Sequence, residues 1–119
     1  MATGRMRRVD EAVRQVVGDA VAAELKDPRV GFVTVTDVRT SPDLRHARVF
    51  VSVLGAGGAS SEPAEREASL DGLRSAHGYL QARVAGELHL KRTPTLEFVY
   101  DDTTDRAMRL EQLIDREGA

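Results

Sequence analysis

The 119-residue chain predicts an α+β fold, a two-layer sandwich of a three-stranded sheet and amphipathic helices. Helix-period apolar stripes and short Val- and Thr-rich strands follow one another as helix, strand, strand, jointed helix pair, strand, helix. The strands alternate apolar and polar residues, so the sheet needs cover on one face only. A composition of 41% hydrophobic and 30% charged residues fits one ordinary core in a single domain.

The first helix follows from Met6, Val9, Val13, Val16, Val17, Ala20, Val21 and Leu25, which share one face from about Arg5 to Lys26. Asp27-Pro28 ends it. Gly31 to Thr40 reads as the first strand. The second runs from Leu44 to Leu54, with Ala47, Val49, Val51 and Val53 on one face and Arg48, Phe50 and Ser52 on the other. Ser41-Pro42-Asp43 supplies the turn between them. The connector Gly55 to Ser61 is flexible and too short to join separate domains; Glu62-Pro63 then opens a helix with an acid and a proline.

The stretch from Gly72 to Asp102 is the most informative. Leu73, Ala76, Leu80, Val84 and Leu88 keep helical spacing across Ala76-His77-Gly78, so one buried stripe crosses a break in the backbone. Gly78 is the expected bend, because glycine reaches angles other residues avoid; Gly78→Val is therefore expected to impair activity through backbone geometry. The second helix of the pair is expected to end in Lys91-Arg92, with cations at the negative end of its dipole. Thr93-Pro94 stops it, and Thr95 to Tyr100 forms a strand with Leu96, Phe98 and Tyr100 on one face. Thr103 or Thr104 can cap a final helix whose apolar side is Ala107, Leu110, Leu113 and Ile114.

Three Phe, two Tyr and no Trp leave an aliphatic core and no broad aromatic platform for stacking bases. The absence of Cys removes disulfides, thiolate nucleophiles and cysteine-ligated zinc, and suits a reducing cytoplasm. No apolar run reaches membrane length and residues 1–8 lack the apolar core of a signal peptide, so a cytoplasmic protein is expected. The net charge of -2 is unevenly spread: nine Lys and Arg face seven acids in residues 1–54, and four face one in 72–92. Acids dominate the connector and the tail. A local phosphate-binding face is compatible with this; attraction of the whole chain to polyanions is not.

The element order resembles the second type of KH domain, the αββααβ fold in which a Gly-x-x-Gly loop between two helices clamps single-stranded RNA. Here the joint is Ala76-His77-Gly78, with no such loop between the helices. In Arg8-Val9, Lys26-Asp27-Pro28-Arg29, Asp43-Leu44, Ala47-Arg48-Val49, Ala76-His77-Gly78, Pro94-x-Leu96 with Phe98, Tyr100 and Asp101, and Met108-Arg109, the chain resembles the bacterial ribosome-binding factor A family. The resemblance covers nearly the whole chain. It implies a KH-like core over residues 1–119, with an Ala-x-Gly kink replacing the loop. It also implies a non-catalytic factor that binds the immature small (30S) ribosomal subunit, assists late maturation and processing of its 16S rRNA, and is associated with growth in the cold. No cofactor or metal and no membrane are implied, and a monomer is expected when free. Some members carry a longer charged C-terminal extension, whose role is not carried over.

The candidate nucleic-acid contacts are Arg7, Arg8, Arg45, Arg48, Ala76, His77, Gly78, Arg83, Lys91 and Arg92. Arg7 and Arg8, with Arg5, stand where cations oppose the helix dipole, so helix stability does not explain them and phosphate contact does. Arg45 and Arg48 flank the start of the second strand. Arg83 lies beyond the kink, and Lys91-Arg92 serves dipole or phosphate equally well. His77 has a contact role or none; Ala76 and Gly78 shape the backbone, and amides of the restarted helix are able to hold a phosphate. Catalytic readings fail on spacing: His46, His77 and His89 form no metal pair, and Ser41, Asp43 and His46 lack a nucleophile elbow. Gly55-x-Gly57-Gly58 lacks the Lys and Ser/Thr of a P-loop. The alternative class is a protein-interaction module that docks a partner without RNA.

Overall fold

The computed structural model describes residues 4–55 and 61–103. Its elements are α1 (Gly4–Ala23), β1 (Phe32–Thr40), β2 (His46–Leu54), α2 (Pro63–Ser75), α3 (His77–Leu88) and β3 (Thr95–Tyr100). The strands lie in the order β1-β2-β3, with β1 antiparallel and β3 parallel to β2. All three helices pack on one face of this sheet, which makes the α+β, KH-like two-layer sandwich that the element order predicts. The expected final helix and most of the connector fall outside the described residues.

The core is aliphatic. Val13, Val17 and Ala20 of α1, Leu73 of α2, Leu80 and Val84 of α3, and Ala47, Val49 and Val51 of β2 are all fully buried. Each buried Val or Leu contributes about 1.5 to 3 kcal/mol over its exposed state, so this shared interior holds the layers together. Leu73 and Leu80 stand on either side of the joint, and the stripe does cross it.

The break falls at Ala76, inside the expected Ala76-His77-Gly78 joint and two residues before Gly78. Ala76, at φ -88° and ψ 8°, is both the C-cap of α2 and the N-cap of α3. Its N–H donates to the carbonyls of Gly72 and Leu73 at 3.1 Å, and its own carbonyl accepts from Leu80 N at 3.0 Å. Gly78 lies within the first turn of α3 with a right-handed backbone and open space where a Cβ would stand. The expectation that Gly78→Val acts by forbidding glycine-only angles is overturned.

Other boundaries shift for local reasons. The first helix stops at Ala23 rather than Lys26, because Glu24 N and Leu25 N both turn back to the Ala20 carbonyl. The second strand begins at His46 rather than Leu44, since Leu44 adopts φ 60° in the turn. The last helix of the pair closes at Leu88, where His89 takes φ 46°, so Lys91-Arg92 lies in the following loop and not in a last helical turn. In β1 the register slips between Val35 and Asp37. This bulge at Thr36 lets Val35 and Val38, three apart, both face the core.

Polar side chains finish the backbone. Gln81 on α3 donates to the Pro94 carbonyl at 2.6 Å and accepts from Leu96 N at 3.1 Å, so its amide caps the outer edge of β3. Asp27 accepts from Arg29 N at 2.9 Å and binds the Arg29 guanidinium, which reaches Ser75 Oγ at 3.0 Å. Ser69 Oγ donates to the Arg29 carbonyl at 3.2 Å. The Asp27-Pro28-Arg29 segment is thereby fastened to α2.

Arg29 hydrogen bonds hold the Asp27 carboxyl below its ordinary pKa, and the Ser41 hydroxyl and then Arg45 N–H do the same for Asp43. A depressed folded value contributes stability above the unfolded pKa of about 4, and that contribution is lost as pH falls through the folded value. Thermal melts are expected to be level from pH 7 to about 5 and to drop below about 4. The Asp27→Asn/Asp43→Asn variant, which keeps the turn acceptors, should show a shallower drop than the parent.

Candidate nucleic-acid interface

Three chain segments meet at the end of the sheet that carries the β1–β2 turn. Asp10 Oδ1 accepts from Thr40 N at 2.8 Å, which ties the first turns of α1 to the end of β1. Thr95 N donates to the Arg45 carbonyl at 2.9 Å, which ties the 89–94 loop and the start of β3 to the same turn. The turn is rigidly built. Ser41 Oγ donates to Asp43 Oδ1 at 2.6 Å and accepts from His46 N at 3.1 Å, and Asp43 Oδ1 accepts from Arg45 N at 3.1 Å. The Ser41 hydroxyl thus staples the turn rather than facing an imidazole as a nucleophile would.

This end collects most of the cations expected to meet RNA. Arg7 and Arg8 are exposed at the start of α1, whose first turn holds no acid. Lys91 and Arg92 are exposed in the loop before β3. Among the described residues these four have no ion-pair partner. Arg45 approaches Asp43 at 3.6 Å and Arg48 approaches Glu97 at 4.0 Å. Exposed pairs of this kind contribute at most about 1 kcal/mol, so a phosphate can displace them.

Arg83 does not join this surface. Its side chain is 33% exposed. Nη2 donates to Glu24 Oε2 at 3.1 Å and Nη1 to Glu87 Oε1 at 2.6 Å, while Nε stands 3.1 Å from Glu24 Oε1 without hydrogen-bond geometry. Tyr79 Oη donates to the same Glu24 carboxylate. The Tyr79 and then Arg83 hydrogen bonds lower the Glu24 pKa. Arg83 therefore fastens α3 to the end of α1.

The joint flanks the basic end without belonging to it. His77 is half-buried and lines a shallow depression of about 270 Å³ with Arg74, Leu96, Glu97 and Phe98. Ala76 shapes the chain, and Gly78 is exposed on α3. No side chain caps the start of α3.

Two residues absent from the expected set also stand here, Arg39 and His46. Without the bulge, strict alternation puts Arg39 in phase with Val33 and Val35, which pack toward the core. With the bulge, Arg39 pairs with Arg48 on the open face. Only an irregular spacing, Val35 to Val38, hints at this in the sequence. Among the described residues no group of three or more His, Asp or Glu is placed to hold a metal ion, and no helix is long and apolar enough to cross a membrane.

Comparison with known proteins identifies a family and a matching fold. The profile of the family described as "Ribosome-binding factor A" matches residues 5–114. The chain is 45% identical over 111 residues to ribosome-binding factor A from Halorhodospira halophila, covering 93% of this chain and 84% of that protein. Against the protein of that name from Chloroflexus aurantiacus it is 41% identical, over 95% and 85%. Among solved structures, the crystal structure of ribosome-binding factor A from Thermus thermophilus superposes with a TM-score of 0.66 at 28% identity, over 80% of this chain and 94% of that one. A homology model of the Thermus thermophilus protein, fitted into the cryo-EM map of its complex with 30S, gives a TM-score of 0.60 at 26% identity, over 79% and 92%.

Proposed function

The chain belongs to the ribosome-binding factor A family, and from that premise we propose that it binds the immature small ribosomal subunit and assists late maturation of its 16S rRNA without covalent catalysis. It works as one cytoplasmic domain, monomeric when free. A structural neighbour fitted into a 30S complex supports the partner. The observation that carries the reading is the convergence of Arg7, Arg8, Lys91 and Arg92, all exposed and unpaired among the described residues, with Arg45 and Arg48 at one end of the sheet. Such a surface holds phosphates and fixes orientation, and it favours one arrangement of an RNA junction simply by binding it better.

A second reading, docking on protein, is favoured by one observation. Phe32 and Leu54 are cross-strand neighbours at the opposite end of the sheet, 75% and 48% exposed. Co-sedimentation with immature and mature small subunits at two salt concentrations separates the two. The phosphate reading expects preference for immature subunits and a steep loss of binding with salt. Binding that ignores salt supports the protein reading instead.

A further inference from the structure

Arg39 and Arg48 stand directly opposite one another on neighbouring antiparallel strands, both on the face that none of the described helices covers. Like charges in that position oppose sheet formation, so folding does not account for the pair. Neither arginine is neutralised firmly: Arg39 Nε lies 3.3 Å from Asp37, Arg48 Nε lies 4.0 Å from Glu97, and the side chains are 77% and 66% exposed. Among the described residues, no outer guanidinium nitrogen of either makes a hydrogen bond. The two arginines wall a depression of about 460 Å³ with Thr40, Ser41, His46 and Glu97. At its edge the Thr40 hydroxyl is buried and lacks a hydrogen-bond partner.

We propose that this depression is a phosphate clamp, in which Arg39 and Arg48 together grip one backbone phosphate of ribosomal RNA and Glu97 moderates the grip. The inference rests on the ribosomal reading above and adds to it a specific subsite, on the open sheet face rather than at the helix joint. Planar guanidinium forks match phosphate oxygens, and a shared phosphate turns a repelling pair into an attracting one. Arg39 also borders a neighbouring depression on the same face, whose lining includes Asp37, Asp101 and Asp102.

The test is co-sedimentation of the full chain with immature subunits across a salt series. Arg39→Gln/Arg48→Gln is expected to bind about tenfold or more weakly, with a log–log salt slope shallower by about one, as loss of one phosphate contact predicts. Its melting temperature should equal or exceed the parent's, because the repelling pair is gone. Glu97→Gln should bind severalfold more tightly, a gain that a merely structural role does not produce. Arg14→Gln, on a helix face and paired with Glu11, serves as the control and should bind as the parent does. Parental affinity and slope in the folded double variant, or no gain from Glu97→Gln, would overturn the clamp while leaving the ribosomal reading intact. If the parent itself fails to sediment with immature subunits, the ribosomal reading fails first and the clamp with it.

Discussion

Changing Arg7, Arg8, Arg45 and Arg48 together to Glu is expected to weaken binding to immature small subunits on the order of a hundredfold or more, and to flatten its dependence on salt. The reversal replaces four exposed cations at one end of the sheet with four anions, so attraction to phosphate becomes repulsion across the whole approach. Stability should not fall with it. At the start of α1, Glu favours the helix dipole that Arg opposes. At position 48, Glu meets Arg39 with opposite charge but gains Glu97 as a like-charged neighbour. The lost Arg45–Asp43 and Arg48–Glu97 contacts are exposed and weak. Melting temperature and subunit binding measured on the same preparation check both halves. Normal binding by the folded variant would refute the basic surface and leave docking through apolar groups.

Two glycines in the helix pair are expected to respond in opposite directions. Gly72 is buried where α2 meets the segment after α1, and a Cβ there would stand 2.6 Å from Val30 Cγ2 and 3.4 Å from Arg29 Cβ. Val30 is β-branched and stiff, and Arg29 is tied to Asp27, Ser69 and Ser75, so this segment cannot retreat cheaply. Gly72→Val should therefore destabilise the fold by about 2 to 3 kcal/mol, as overpacking does. Gly78, by contrast, has room for a Cβ and a helical backbone, and Gly78→Ala should stabilise by up to about 1 kcal/mol from helix propensity. Equilibrium urea unfolding of both variants checks the pair; a stable Gly72→Val would show that the loop can move.

The sequence was legible where a pattern has a period. The apolar stripes of α1 and of the helix pair, and the alternation of β2 and β3, place Val13, Leu73, Leu80, Val49 and Phe98 in the core as observed. Legibility failed where a single residue departs from a period or where a contact is made in space. Gly78 drew attention because glycine permits a bend, yet Ala76 makes the bend with angles open to any residue. Gly72 looked ordinary, because its role depends on Val30, far away along the chain. Lys91-Arg92 was read into a helix that His89 ends early by a left-handed turn, for which histidine gives little signal. Of the site, Arg7, Arg8, Arg45 and Arg48 were visible as unexplained cations. Arg83 was not distinguishable from them, since its acid Glu24 lies on another segment of the chain. Arg39 was hidden by the bulge that carries it to the open face.

The amide of Gln81 has a consequence for self-association. A sheet with two bare edges can be extended indefinitely, each molecule offering one edge and accepting the other. Here Gln81 occupies Leu96 N, the first outward-facing donor of β3, and the carbonyl of Pro94 just before the strand, a residue with no N–H to offer. Strand addition in register with the start of β3 is thereby blocked, whereas two copies meeting edge to edge through β1 would close on each other around a two-fold axis. Growth stops there. Whatever the molecule does at high concentration, its geometry disfavours the open-ended filament.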